Sequence, residues 1–190
     1  MLFRLPLLLL GLVYAGWADT TLVPLGSIWK YLDNGTDPGT AWRGTAFNDS
    51  GWLSGPAQLG YGDGDESTVV SGGPNPDNHY ITTYFRRSFV VTNPNDFGKL
   101  LLRILRDDGA VVYLNGVEIH CGNMPPGAVT FQTLAANSVT GTDESLFFAA
   151  TLAAPHLIAG TNVAVTEPAR HKIAPPLICG YRNSLLSFPR

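Results

Sequence analysis

The sequence predicts an all-β fold, an antiparallel jelly-roll β-sandwich, and three observations lead there. Short runs of β-branched, aromatic and aliphatic residues recur along the chain, each bounded by Gly, Pro, Asn or Asp. With 21 Gly and 14 Pro in 190 residues and only 14% charged residues, the composition suits tight turns between strands better than long helices, whose solvent faces are usually rich in Glu and Lys. No amphipathic pattern of three helical turns occurs.

The first residues read as an export signal. Arg4 supplies the positive start, Leu5 to Tyr14 an apolar stretch, and Gly16 and Ala18 the small residues ahead of a cut after Ala18, so residues 1–18 are expected to be removed. The apolar stretch is shorter than the ~20 residues a membrane helix needs. A secreted protein without a membrane span is therefore expected, extracellular or, in a bacterium, periplasmic. Residues 19–165 form a single module of ordinary domain size, followed by a divergent tail at 166–190.

A formal net charge of −3 and the absence of any Lys or Arg cluster give no footing for nucleic acid or acidic lipid. After export, Cys121 and Cys179 are chemically free to form a disulfide, with two free thiols as the equal alternative. Asn34-Gly35-Thr36 and Asn48-Asp49-Ser50 are acceptor sequons that would carry glycans only in a eukaryotic host.

Taken in order, Thr21 to Leu32 predicts a first strand that ends at the turn Asp33-Asn34-Gly35. Between Gly39 and Gly64 the sequence is irregular but carries Trp42, Phe47, Trp52 and Tyr61, a long loop pinned to the core by its rings. Tyr80 to Val91 predicts the clearest strand, with Phe85, Arg87, Phe89 and Val91 on one face and Tyr84, Arg86 and Ser88 on the other. Leu100 to Leu105 is nearly all apolar and predicts a central strand. Ala110 to Leu114, Asn115-Gly116 and Val117 to Ile119 predict a hairpin, because Asn-Gly suits the two positive-φ positions of a type I′ turn. Thr130 to Leu134, Leu146 to Leu152 and Asn162 to Val165 complete the series. From Thr166 to Arg182 three prolines and scattered charge replace alternation, so no regular strand is expected before Asn183.

Catalytic patterns are missing: there is no G-x-S-x-G elbow, no H-E-x-x-H helix and no phosphate loop, and His79, His120, His156 and His171 lack metal-ligand spacing. Gly60 to Glu66 gathers carboxylates in a glycine-rich loop, so Asp63, Asp65 and Glu66 are candidate calcium ligands, with an acidic solvated turn as the plainer reading. Asp33, Asp37 and Asp77 are weaker candidates of the same kind. Asp107-Asp108-Gly109 reads as a turn in which one carboxylate accepts backbone N–H groups and one of Arg86, Arg87, Arg103 and Arg106 satisfies the other. For ligand binding the candidates are Trp42 and Tyr61 as stacking rings, with Asp63, Asp65 and Arg86 as hydrogen-bonding partners.

Several runs in order carry a resemblance. These are Thr21-Leu22-Val23-Pro24, Trp29-Lys30-Tyr31-Leu32-Asp33, Phe47-Asn48-Asp49-Ser50-Gly51-Trp52, Gln58 to Asp65, Tyr84-Phe85-Arg86-Arg87, and Arg106 to Gly116. Over residues 20–165 the chain resembles the galactose-binding-like jelly-roll module of secreted multidomain proteins, as found beside calcineurin-like metallophosphoesterase and other hydrolase domains. It is also similar to the sugar-binding domain of family 2 glycoside hydrolases. Past Val163 the likeness stops, through an altered reading frame or divergence, which leaves open a sandwich without its last strand. The resemblance implies a noncatalytic carbohydrate-binding or accessory module, a piece of a larger secreted hydrolase, with a glycan or an adjacent catalytic domain as partner and structural calcium as an occasional cofactor. The alternative is a structural spacer that packs on a metallophosphoesterase-type catalytic domain absent from this chain.

Overall fold

The computed structural model describes residues 19–62 and 64–182, without the side chains of 170–182. The expected signal segment lies outside the described residues. Ten strands appear in the order β1 (Thr20–Val23), β2 (Ile28–Leu32), β3 (Leu53–Pro56), β4 (Leu59–Gly60), β5 (Thr68–Val69), β6 (Tyr84–Val91), β7 (Phe97–Leu114), β8 (Val117–Gly122), β9 (Phe147–Ala153) and β10 (Gly160–Arg182). Among the described residues the helical pieces are 3₁₀ turns of three to five residues, with no α-helix.

The architecture is organised by two long antiparallel strands. β7 and β10 stay paired from Ala164 opposite Leu114 to Arg182 opposite Phe97, through three shifts of register. Where Leu114 and Ala164 meet, the ribbon is widened by β6, β2 and β3 on the β10 side and by β8 on the β7 side. Toward its other end, β1, β4 and β5 extend the β10 side and β9 extends the β7 side. All pairings are antiparallel except the short β4–β5 contact. The sheet folds over along this shared ribbon into the two faces of a sandwich.

Alternation explains why the faces close on each other. Leu100, Leu102 and Ile104 from one half of β7, and Ala110, Val112 and Leu114 from the other, all point inward. They meet Val23, Trp29, Leu59, Phe85 and Phe89 in one core. The intervening residues Val111 and Tyr113, with Tyr84, Val163 and Val165, face outward, yet they are buried under a second apolar layer.

The structure matches the hairpin expectation closely. Asn115 and Gly116 take φ of 52° and 88°, and Leu114 faces Val117 across the turn. It also bears out the two faces of β6, since Phe85, Phe89 and Val91 enter the core while Tyr84 lies in the outer layer.

Four expectations need correction. Thr21 to Leu32 is two strands, because the chain turns at Gly26, whose φ is 70°. Asp107-Asp108-Gly109 is not a turn; it lies inside β7, where that strand changes partner from β9 to β8 while staying on β10. Thr130 to Leu134 is not a strand, since Thr130 and Thr133 close a local turn, Thr133 N donating to Thr130 O and Thr130 N to Thr133 Oγ1, both at 2.9 Å. The tail after Val165 is not irregular: β10 runs to Arg182 and supplies the strand expected to be missing. Pro175 and Pro176 fall in the register break between Ala174 and Leu177, where a missing N–H interrupts no regular ladder.

Candidate functional site

The outer layer is made by the aromatic loop between β2 and β3. A 3₁₀ turn at Ala41–Arg43 carries Trp42 onto the outward face of the sheet, where its ring meets Tyr84 edge-on at 5.0 Å, Tyr113 at 6.4 Å and Trp52 at 6.1 Å. Phe47 stands edge-on to Trp52 at 5.8 Å. Arg86, projecting from β6, pins this loop from below. Its Nε donates to Asp49 Oδ2 at 2.9 Å and its Nη1 to the carbonyls of Trp42 and, at 3.1 Å, Gly44. Its guanidinium lies 5.1 Å from the centre of the Phe47 ring.

This geometry revises two of the binding candidates. Trp42 is fully buried and offers no face to a ligand. Arg86 is 2% exposed and holds the loop on the sheet. The Phe47-Asn48-Asp49-Ser50-Gly51-Trp52 run is thus a fastening in which Asp49 binds the arginine while Phe47 and Trp52 pack on each other.

Beside Trp42 lies a buried carboxylate that the sequence reading left unused. Glu167 on β10 accepts from Tyr113 Oη at 2.7 Å and from Arg43 Nη2 at 3.0 and 3.3 Å, while the Arg43 guanidinium sits 4.2 Å from the Tyr113 ring centre. Burial raises the Glu167 carboxyl above its ordinary range, outweighing the downward pull of Tyr113 and Arg43. Burial, reinforced by the hydrogen bond to Glu167, likewise pushes the Tyr113 phenol up.

A cleft of about 330 Å³, within the range of small-molecule sites, lies beside this layer. One wall is the segment entering β6, with Asn75, Asn78, His79 and Tyr80, and the other is Phe131 and Gln132 from the loop after β8. The walls are tied by Thr82 Oγ1 donating to Phe131 O at 2.8 Å. Glycines lock the rings. Gly35, at φ 72°, lies so near Tyr80 that a Cβ there would sit 2.4 Å from two ring carbons, and a Cβ on Gly72 would sit 2.5 Å from His79 Nδ1. His79 stacks on Tyr61, with centroids 4.9 Å apart and planes 21° apart.

Of the predicted binding residues, Tyr61 therefore comes nearest, as the support behind His79. Asp65 lies elsewhere, lining a separate hollow with Gln58 and Ser67, and it accepts from Gln58 Nε2 at 3.3 Å. Glu66 accepts from Gly64 N at 3.0 Å, and Asp63 lies outside the described residues. Among the described residues no group of three or more His, Cys, Asp or Glu is placed to hold a metal ion. Asp108 Oδ1 accepts from Val139 N at 2.7 Å, while Arg86 pairs with Asp49 instead of the Asp107-Asp108 pair. Cys121 is a free, exposed thiol opposite Val111, and the Cys179 backbone faces Leu101 ten positions away along β7. The Cys179 side chain lies outside the described residues. The sequence reading missed Asn75, Asn78, His79, Tyr80, Phe131 and Gln132. The available signal was the run of Gly, Pro and Asn from Gly72 to Asn78 ahead of the strongest strand, the kind of loop that carries sites on a rigid scaffold.

No protein-family model and no curated protein matches the chain. Solved structures do. β-Glucuronidase 2 of Bacteroides uniformis is similar at 17% identity with a TM-score of 0.53, over 87% of this chain and 18% of that one. A β-glucuronidase of Ruminococcus gnavus in complex with D-glucuronic acid is similar at 13% identity and 0.51, over 87% and 30%. A glycosyl hydrolase family 2 member from Bacteroides cellulosilyticus DSM 14838 is similar at 10% and 0.50, over 85% and 20%. The chain spans less than a third of the length of each. What these likenesses establish is the fold, an antiparallel jelly-roll β-sandwich shared with one part of each of these longer enzymes.

Proposed function

We propose that the chain is a noncatalytic accessory module that binds a glycan in the cleft between Asn75–Tyr80 and Phe131–Gln132. The observation that carries this reading is the lining itself: amide side chains able to bond sugar hydroxyls stand beside aromatic rings held in place by glycines. The fold supports it, because the similar structures are enzymes of which a chain of this extent forms only a part. Residues 1–18 would export the module, and an adjacent hydrolase domain would be its other partner. A glycan array probed with the purified chain tests the proposal. Signal that disappears in Asn78→Ala supports it, whereas an array silent for the folded chain refutes it.

A second reading has its own observation. On the outward face of β2 and β6, beyond the aromatic loop, Ile28 and Val90 are 62% and 72% exposed. Such a surface suits a structural spacer resting on a catalytic domain of the metallophosphoesterase or another hydrolase type. That role requires no affinity for sugar.

A further inference from the structure

We propose that a hollow on β2, β3 and β6 is an oxyanion-binding site, which takes a sulfate or carboxylate group that arrives free in solution or carried on a sugar. The hollow, of about 360 Å³, is lined by Lys30, Ser54, Arg86, Arg87 and Ser88, with Asp49 beside them. It is separate from the cleft described above and needs no sugar there. The strand register builds it. Lys30 on β2 stands directly opposite Arg86 on β6 and, on its other side, opposite Ser54 on β3. Like charges directly opposite on neighbouring strands repel. Arg87 joins them, its Nη1 donating to Ile28 O at 2.6 Å.

Three cations thus share one carboxylate, Asp49, which Arg86 already binds at 2.9 Å. Among the described residues neither Lys30 nor Arg87 forms an ion pair, and Lys30 Nζ donates only to Trp52 O, at 3.4 Å. Residues 1–18 and 170–190 contain no Asp or Glu to fill that role. Asp63, the remaining acid outside the described residues, follows β4, which joins β10 at Lys172 and Ile173, away from the Gly160 to Thr166 stretch that pairs with β6. Arg87 carries the imbalance most plainly: its Nε is buried without a hydrogen-bond partner among the described residues, and burial lowers the pKa of its guanidinium. An oxyanion accepts from the ammonium and guanidinium groups, while the Ser54 and Ser88 hydroxyls donate to its other oxygens. Both serines are exposed, so the anion enters from solvent and stays partly hydrated. Contacts of that kind are individually weak and screened by salt, and a dissociation constant of about 1 mM follows.

The test is a ¹⁵N–¹H correlation titration of the full chain with sodium sulfate, against sodium chloride at matched ionic strength. Saturable shifts at Lys30, Ser54, Arg87 and Ser88 that chloride does not produce are expected, and Lys30→Met should weaken binding by about fivefold. Ser54→Asp sets a carboxylate opposite Lys30. It should abolish the sulfate shifts and raise the thermal midpoint by about 1–2 °C, a combination that damage to the fold cannot produce. Parallel titrations with galactose 6-sulfate and galactose separate the sources. Tighter binding of the sugar sulfate than of inorganic sulfate supports the site and assigns its anion to a glycan; equal binding of the two supports the site and assigns it to the free ion. Shifts no larger than those with chloride, or sulfate shifts that persist in both variants, overturn the site and leave the cleft untouched.

Discussion

Arg43 Nη2 lies 3.0 Å from Glu167 Oε1 across 124 positions of sequence, and this pair locks the aromatic loop to the strand that closes the sandwich. Because burial raises the Glu167 carboxyl, the folded chain takes up its proton more readily than the unfolded chain. Its contribution to stability is therefore fully present below the unfolded value and is lost as pH rises through the folded one. Glu167→Gln carries no such dependence. Urea midpoints should show wild type gaining on the variant between pH 7 and pH 5; a gap that shrinks on acidification would contradict this. Glu167→Ala, which strands Arg43 and Tyr113, should cost about 3 kcal/mol.

Arg86 binds Asp49 and two loop carbonyls at once, so removing it leaves those acceptors without their donor. Arg86→Met should destabilise the chain by about 3 kcal/mol, and Asp49→Asn by about 1 kcal/mol. Amide hydrogen exchange should quicken first in residues 41–52 of either variant. Protection unchanged there would show that the rings alone hold the loop.

Asn162 is fully buried and ties the hairpin to β10. It accepts from Asn115 Nδ2 at 2.8 Å and from Ile158 N at 2.9 Å, and donates to the carbonyls of Ile158 and Gly160 at 2.8 and 3.1 Å. Asn162→Ala leaves several of these groups unpaired and should cost at least about 2 kcal/mol in chemical denaturation. Asn115→Gly keeps the turn geometry but loses the link to Asn162, and should cost roughly half as much.

Gly35 separates binding from folding. Alanine there meets both the positive-φ penalty of about 1–2 kcal/mol and the Tyr80 ring at 2.4 Å. Gly35→Ala should lose about tenfold in glycan affinity, equivalent to about 1.4 kcal/mol. Gly39→Ala, at the same φ of 72° with nothing within 4 Å, should lose stability without losing affinity. Equal affinity losses in the two would show that ring placement is not the cause.

Legibility followed the range of the forces involved. The hairpin at Asn115-Gly116 and the two faces of β6 were readable because turn conformation and alternation are local. The clamping of the aromatic loop was readable in outline, from rings in an irregular stretch. Its specific fastening was not, because Arg86 reaches Asp49 and Glu167 reaches Arg43 only after distant segments meet. The tail misled for the converse reason. Pro175 and Pro176 argue against a strand locally, but the long β7 offers pairing that tolerates a register break at them. The cleft was missed because its two walls, at 75–80 and 131–132, are loop segments far apart in sequence that meet through a tertiary contact, Thr82 Oγ1 donating to Phe131 O.

The central claim is that sugar binds between those two walls, and a ¹⁵N–¹H correlation titration of the wild-type chain with its strongest array glycan tests it directly. The expected result is saturable shifts confined to residues 74–82, 131–132 and the neighbourhood of Gly35. Shifts centred on Gln58, Asp65 and Ser67, or none at ligand concentrations that saturate the array signal, would contradict it.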